Sequence, residues 1–402
     1  MNGFTVLKIS AKAEQSCKAG HPWVYAEEVV SAGGEYENGD IVAVKTAKDR
    51  LIGFGFVNDN SKIKIRIISR NANDKFDEAF FYRRVKYAVD YRRTVMGETD
   101  FKCCRLIFGE ADMVPGLTVD RFENVLVCEV LCLGIELRKD MIYKALLGVL
   151  SEYGQKIDAI YERNDSQIRK LEGMEPYSGY YYGEGDGRAK ITENGIIYDV
   201  DYINGQKTGF FLDQKYNRAA IRKIAEGRRV LDCFTHTGAF ALNAAAAGAE
   251  RVTAIDVSQT ALDSAIYNAK LNGLEDKIDF IKDDVFDHLT KLAQRGKSDY
   301  GLIILDPPAF TKSRDTIKDA VRGYKEINLK AMKLLPRGGY LATCSCSHFM
   351  RDSIFCQTVH AAAEDAGVSL RQIEGRQQSP DHPVLWNVPE TDYLKFYIFQ
   401  IV

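Results

Sequence analysis

The chain has nine cysteines but no Cys-x-x-Cys pair and no Cys/His cluster of the kind that binds zinc. The cysteines therefore read as reduced thiols of a cytoplasmic protein, and no metal is expected. No apolar run is long enough to span a bilayer, so no membrane partner is expected. Met1 to Lys8 lack a basic head followed by a long apolar stretch, and a secretory leader is not expected either. A large excess of one charge is also missing. Lys and Arg number 54 against 56 Asp and Glu, a formal net of −2. That removes any global electrostatic demand for nucleic acid while leaving room for local basic patches. Internal repeats and low-complexity segments are absent.

What is present is an ordinary globular composition. Of 402 residues, 46% are apolar and 27% charged, enough to form a core without disulfides or metals. The length suits two or three domains, and the pattern changes twice. Residues 1–72 carry short alternating runs, Ile41 to Val44, Leu51 to Val57 and Ile63 to Ile68, broken by turn residues, which predicts a small β-barrel. Residues 73–187 mix both element types and form a central α+β domain. A helix is expected over Asp77 to Met96, with Arg83, Arg84, Lys86, Arg92 and Arg93 on a basic side. A strand is expected over Val125 to Leu131 and a helix over Leu137 to Leu150. The Tyr- and Gly-rich stretch Tyr177 to Gly187 reads as a loop. From 188 to 402, short apolar runs alternate with helical stretches, the pattern of a parallel α/β sheet with crossover helices.

In such a sheet, ligands bind beyond the carboxyl ends of the strands. Acids recur there: Asp232, Asp256, Asp283, Asp284 and Asp306. A single acid at that position is commonly a helix cap; several in consecutive units point to a ligand. The first strand-to-helix turn, Leu231 to Gly238, has one glycine where a dinucleotide fingerprint needs three. Cys233, Phe234 and Thr235 stand where glycines would let a pyrophosphate approach, so a nucleoside without pyrophosphate fits better. Asp256 lies one unit further on, where an acid accepts hydrogen bonds from ribose hydroxyls. Asp306-Pro307-Pro308 follows a buried strand, and its two prolines fix the backbone and remove two amide donors. Cys344 and Cys346 lie two apart near another strand end, so both thiols are expected on one side. Buried cysteine is usually a small apolar residue; the place of this pair at a predicted strand end, in the same sheet as Asp306, shifts the balance toward a thiolate nucleophile.

These motifs together resemble the bacterial and archaeal 23S ribosomal RNA 5-methylcytosine methyltransferases of the RlmI-like group. His21 to Tyr25 resembles the family's N-terminal PUA domain, an RNA-binding β-barrel. Gly109 to Phe122 resembles the signature of its central domain, Gln206 to Gln214 the segment leading to the cofactor, and Asp381-His382-Pro383 its C-terminal motif. The resemblance implies a class I methyltransferase, Rossmann-like fold that uses S-adenosylmethionine. It implies Phe211, Gln214 and Arg218 near the methionine end of the cofactor. Cys233, Phe234, Thr237 and Gly238 are implied beneath it, Asp256 and Ser258 at the ribose, and Asp284 and Val285 at the adenine. Asp306 and Pro307 are implied to face both the sulfonium and the target base, and Cys346 to attack cytosine C6. Ala309 stands where other RNA 5-methylcytosine enzymes carry a second cysteine, which leaves Cys344 without an assigned role. His348 reads as a capping or surface residue.

Ribosomal RNA, 23S in particular, is the implied partner, and a homodimer stays open. Lys62, Lys64, Arg66 and the arginines from 83 to 93 are candidate phosphate contacts, or equally a solvated face. Two rival functions remain at this point: methylation of an exocyclic amine of a nucleobase, and a non-catalytic RNA-binding ribosome-assembly factor.

Overall fold

The computed structural model describes residues 3–296, 298–311 and 313–402. Contacts divide it into two units. The first comprises 1–191, 200–212 and 380–391; the second comprises 192–199, 213–379 and 392–402.

The first unit begins with strands β1 (Val6–Ile9), β2 (Trp23–Val24), β3 (Val29–Ala32), β4 (Ile41–Thr46), β5 (Leu51–Val57) and β6 (Ile65–Ser69), and the helix α1 (Ala11–Lys18) between β1 and β2. Their order in one sheet is β2-β6-β5-β4-β1-β3. Every pairing is antiparallel except β1 with β4. The alternating residues Leu7, Ile9, Val42, Val44, Val57, Ile65 and Ile67 turn inward to form its core with Ala13 and Cys17. Gly53 and Gly55 in β5 are required by close approach. A Cβ on them would lie 2.4 Å from the Ser69 carbonyl oxygen and 2.5 Å from that of Arg66.

The helix α2 (Glu78–Asp100) follows, with Asp77 as its cap, the side chain accepting from the amide of Phe80. It runs one turn past the expected end at Met96, across a break at Gly97, whose φ is +69°. Next come β7 (Cys103–Phe108), β8 (Leu117–Phe122), β9 (Val125–Val130), α3 (Leu133–Glu136), α4 (Lys139–Glu152), β10 (Ala159–Asn164) and β11 (Tyr177–Tyr182). These strands form a sheet in the order β11-β10-β9-β8-β7. The expected loop from Tyr177 is therefore half strand. Tyr177 to Tyr182 pairs antiparallel with β10, as a tyrosine-rich segment can at a sheet edge, and the Tyr177 hydroxyl donates to Glu162 at 2.8 Å.

The expected basic surface is largely committed within this unit. Arg66 pairs with Glu110 at 3.3 Å and Glu172 at 2.9 Å. Arg92 is buried, bound to Asp112 and to the carbonyl of Asp381. Arg84 donates to the Ile68 carbonyl and Lys86 to the Tyr153 hydroxyl. Arg92 is thus not a phosphate contact, because a buried guanidinium needs its partners inside, and the half-buried Arg66 is engaged by two carboxylates. Arg83 and Arg93 remain exposed.

Three of the sequence motifs meet here. Asp120 is fully buried and accepts two 2.8 Å bonds from Arg105 and one of 2.5 Å from Thr208. Asp381 accepts from the Arg105 amide at 2.9 Å. The residues that carry the family resemblance at Gly109 to Phe122, Gln206 to Gln214 and Asp381 therefore hold one buried charge network.

The second unit contains most of a hairpin, β12 (Arg188–Glu193) and β13 (Ile196–Asp201). It continues through α5 (Lys215–Ala220), α6 (Arg222–Ala225), β14 (Arg229–Cys233), α7 (Ala239–Ala246), β15 (Arg251–Asp256), α8 (Gln259–Leu271), β16 (Ile278–Lys282), α9 (Val285–Arg295) and β17 (Tyr300–Leu305). It ends with α10 (Ile317–Leu334), β18 (Tyr340–Ser345), α11 (Asp352–Ala366), β19 (Leu370–Arg376) and β20 (Lys395–Ile401). The sheet order is β16-β15-β14-β17-β18-β20-β19. β14 to β18 run parallel, and β20 runs antiparallel to both β18 and β19. Chain order reverses between β14 and β17, which creates a crevice at their carboxyl ends.

Asp120→Ala removes a fully buried carboxylate that takes two bonds from Arg105 and one from Thr208. A loss of about 3–5 kcal/mol is expected, read as a lower urea midpoint; an unchanged midpoint would show that the network does not stabilise the unit.

Candidate active site

β14 ends in Asp232-Cys233, both fully buried. The chain then leaves the sheet through a strained loop: φ is +63° at Phe234, +51° at His236 and +80° at Gly238. Two non-glycine residues in the left-handed region cost on the order of 1–3 kcal/mol each, and the neighbouring strand holds them there. The Thr235 amide donates to the Ile255 carbonyl, and the His236 amide to Asp256, both at 2.9 Å. Gly238 is needed twice, for its φ and because a Cβ would lie 3.0 Å from that of Ala265 in α8. Its role is close packing of α8 rather than room for a pyrophosphate.

Asp232 is the deepest acid. Its Oδ2 accepts from Thr235 Oγ1 at 2.5 Å and from the Ala241 amide at 3.0 Å. Its Oδ1 is buried and has no hydrogen-bond partner among the described residues. Burial raises this carboxyl to about 7; the Thr235 bond opposes the rise, and the charges of Asp306 and Asp256 add to it. Three carboxylates within electrostatic reach of one another, one with an unused oxygen, suit a ligand that brings positive charge.

Asp256 uses each oxygen once, Oδ1 on the Ser258 amide and Oδ2 on the His236 amide, at 2.9 Å. Each oxygen keeps lone-pair capacity for a ribose hydroxyl. Ser258 caps α8 by accepting from the Ala261 amide, and Asp284 caps α9 by accepting from Phe286 and Asp287. Val285 opens α9 with its side chain buried. The exposed apolar residue is Val257, 66% accessible; an apolar side chain in water directly after a strand-end acid is its signal, and the sequence reading passed over it.

Asp306 follows β17 and is half-buried. Gln214, buried at the start of α5, donates to its Oδ1 at 2.9 Å. Cys344 and Gln214 also bond the carboxyl and, with the charge of Arg218, oppose the rise to about 6 that burial and the charge of Asp213 produce. Pro307 is buried, and its carbonyl lies 3.9 Å from the Cys346 sulfur. β18 ends at Ser345, one residue before Cys346.

Both thiols therefore meet the Asp306-Pro307 segment, in different states. Cys344 is fully buried, and burial together with the Asp306 charge pushes its thiol well up. It stays protonated and cannot serve as the nucleophile. Cys346 is partly exposed. Cys233 is likewise held protonated by burial.

Arg218 is buried and forks onto Glu193 at 2.6 and 2.9 Å. It acts on the site through its charge, since its guanidinium is engaged elsewhere. Thr237 lies in the strained loop, and its carbonyl accepts from Asn268. Phe234 lies 6.5 Å from both Phe286 and Phe310. Phe211 belongs to the first unit, with Lys207 over its ring at 4.8 Å. His348 is neither exposed nor a cap: it is half-buried, and α11 is capped at Arg351.

The model of the S-adenosylmethionine-dependent methyltransferase family matches residues 169–399, and that of a PUA-like domain matches residues 7–70. A protein of Pseudoalteromonas translucida named ribosomal RNA large subunit methyltransferase I is 38% identical over 399 residues, 99% of each chain. One of the same name from Aeromonas hydrophila is 39% identical, covering 95% of this chain and 96% of that one. Among solved structures, a methyltransferase complexed with SAH aligns with a TM-score of 0.83 at 22% identity, over 98% of this chain and 99% of that one. A Streptococcus mutans chain aligns at 0.82 and 22%, over the same shares. At that identity the likeness shows the fold alone, a class I methyltransferase fold with an N-terminal PUA-like domain.

The raised carboxyl of Asp232 sets a pH dependence. Between its unfolded value near 4 and about 7, the folded chain keeps a proton that the unfolded chain has lost. Stability contributed by this group therefore falls as pH rises through that window. Asp232→Asn should flatten the decline of Tm from pH 4 to 7; a parallel curve would show that Asp232 does not titrate there.

Proposed function

Because the chain belongs to the S-adenosylmethionine-dependent methyltransferase family, alongside relatives named ribosomal RNA large subunit methyltransferase I, we propose that it forms 5-methylcytosine in 23S ribosomal RNA of the cytoplasm. Residues 1–72 serve as the RNA-binding PUA-like domain, 73–187 as a central domain, and 188–402 carry the reaction. The observation that carries the reading is the approach of the Cys346 sulfur to the Pro307 carbonyl beside Asp306, at the ends of two adjacent parallel strands.

The residues of the second unit fit the cofactor. The buried carboxyl of Asp232 adds acidic character behind the place where the α-ammonium of the cofactor's methionine part would lie. Gln214 borders that end, with Arg218 adding charge from behind. The loop from Cys233 through Phe234 and Thr237 to Gly238 lies beneath it. Asp256, with the Ser258 turn, takes the ribose hydroxyls. The start of α9 at Asp284 and Val285, together with Val257, borders the adenine. When bound, S-adenosylmethionine supplies an electrophilic methyl group.

Cytosine C5 is a poor nucleophile. Addition of the Cys346 thiolate to C6 breaks the C5–C6 double bond, moves electron density toward N3 and makes C5 enamine-like. Asp306 faces the N3/N4 edge. Its carboxyl, raised to about 6, holds a proton more readily than an ordinary carboxylate. It can donate to N3 and accept from the N4 amine, which matches cytosine and stabilises the charge developing at N3. Cys344 supports this arrangement as a protonated thiol bonded to Asp306. Once C5 carries the methyl group, a base takes the C5 proton, the freed electron pair re-forms the C5–C6 double bond, and the sulfur leaves C6 as thiolate.

Cys346→Ala should lower methyl transfer to unmodified ribosomal RNA by about a thousandfold or more, measured with tritiated cofactor, and leave cofactor affinity unchanged. Retained turnover rejects the adduct. Nucleoside mass spectrometry should find 5-methylcytosine; N4-methylcytosine would favour exocyclic-amine chemistry instead. Asp256→Ala should weaken cofactor binding by about ten- to a hundredfold, and equal affinity by calorimetry would remove its ribose role.

A further inference from the structure

Cys346 sits in a short segment, Ser345-Cys346-Ser347, that two buried groups pin from either side. Tyr324 of α10 is fully buried. Its hydroxyl bonds the Ser345 hydroxyl at 3.0 Å and the Ser347 hydroxyl at 3.2 Å. Both flanks of the cysteine are thereby tied to one phenol. The second group is Lys395, the first residue of β20, which lies directly across from Ser345 in the antiparallel pair. It is 5% accessible. Its ammonium donates to the Ser347 carbonyl at 2.8 Å and to the Tyr393 carbonyl at 2.9 Å.

A buried lysine is costly, and the usual remedy is a carboxylate within contact. No carboxylate lies within ion-pair distance of Lys395 among the described residues; its two bonds go to neutral carbonyls. The ionisable groups that act on its ammonium are Asp392, Cys346 and Asp352. Asp352 is itself engaged, accepting from the Tyr397 hydroxyl at 2.6 Å. Burial lowers the ammonium to about 8 and those three groups oppose the shift. The Coulomb interaction is mutual: if ionised Cys346 favours a charged lysine, the charged lysine equally favours the thiolate.

We propose that Lys395 is a positioning residue for Cys346, holding the nucleophile's segment through the carbonyl of the next residue, Ser347, and bringing to that segment a positive charge that favours the thiolate. The proton released when the S–H bond breaks goes to solvent water, and the electron pair stays on sulfur for the bond to C6. Lysine at this place needs neither contact with the base nor a proton-transfer step of its own. Tyr324 is the neutral half of the same clamp. This deepens the proposed reaction and rests on Cys346 being its nucleophile.

The test reads the thiol directly, without RNA. In the full-length chain carrying Cys356→Ser, which removes the other partly exposed thiol, the rate of Cys346 alkylation by iodoacetamide is followed from pH 6 to 10 by peptide mass spectrometry. Lys395→Met should move the midpoint up by about one pH unit, an approximately tenfold slower reaction at pH 7. Lys395→Arg should keep the midpoint. Lys395→Gln retains a donor for the Ser347 carbonyl and loses the charge, so it should shift like Met, and it replaces Met if that variant does not fold. In methyl transfer, the neutral variants should lose kcat with unchanged KM for RNA and cofactor. A midpoint unmoved in a folded neutral variant overturns the proposal even if activity falls, since a purely structural lysine gives that result. A midpoint that shifts while Cys346→Ala still methylates supports the lysine's action on the thiol and rejects the reaction assigned to Cys346.

Discussion

The carboxylate of Asp232 is held out of water at the end of β14 with one oxygen unused among the described residues, and the arrangement of the second unit turns on it. An isolated buried charge is expensive. Here the expense is met partly by the Thr235 hydroxyl and the Ala241 amide, and partly by retaining a proton up to about pH 7. Asp256 and Asp306 lie close enough to make matters worse. A crevice that gathers three acids is destabilised without a ligand and relieved by one that carries positive charge.

The same constraint is solved differently in the first unit, where several buried or half-buried charges find a fixed partner. Arg92 meets Asp112, Arg105 meets Asp120, and Arg66 lies between Glu110 and Glu172. Sequence motifs that look functional because they are rich in acids and glycines prove to be architectural. Asp120 and Asp381 are buried and engaged, and Gly116, with φ +74°, would place a Cβ 2.7 Å from that of Cys132. A motif that identifies a family need not touch its substrate.

The cysteine pair at the end of β18 shows what differs between two equivalent-looking side chains. Cys344 and Cys346 are two residues apart, yet one is inside the strand and bonded to Asp306 while the other lies just past the strand end with surface exposed. Burial keeps the first protonated. The second keeps partial exposure, and its flanking serines are tied to Tyr324 and Lys395. Strain is concentrated nearby as well, in the left-handed Phe234 and His236, held by hydrogen bonds to β15.

The alternation of apolar runs and helices, and the acids at the strand ends, were legible in the sequence because both are periodic and local. So were the lone Gly238, the Asp-Pro-Pro turn and the family resemblance that the comparisons bear out. Contacts far apart in the chain were not legible. Asp232 looked like one strand-end acid among five until its orphaned oxygen was visible. Arg66 and Arg92 looked like phosphate ligands because a charge pattern does not reveal its partners, and Tyr177 to Tyr182 looked like a loop because its pairing strand lies elsewhere in sequence. Lys395 stands 49 residues after Cys346, at a position that reads only as the start of a last strand. The sequence by itself determined the class of the fold and the chemistry available to it. The tertiary structure decided which acids are buried, which thiol is exposed and which lysine bonds the segment next to it, because those depend on dielectric and distance rather than on order along the chain.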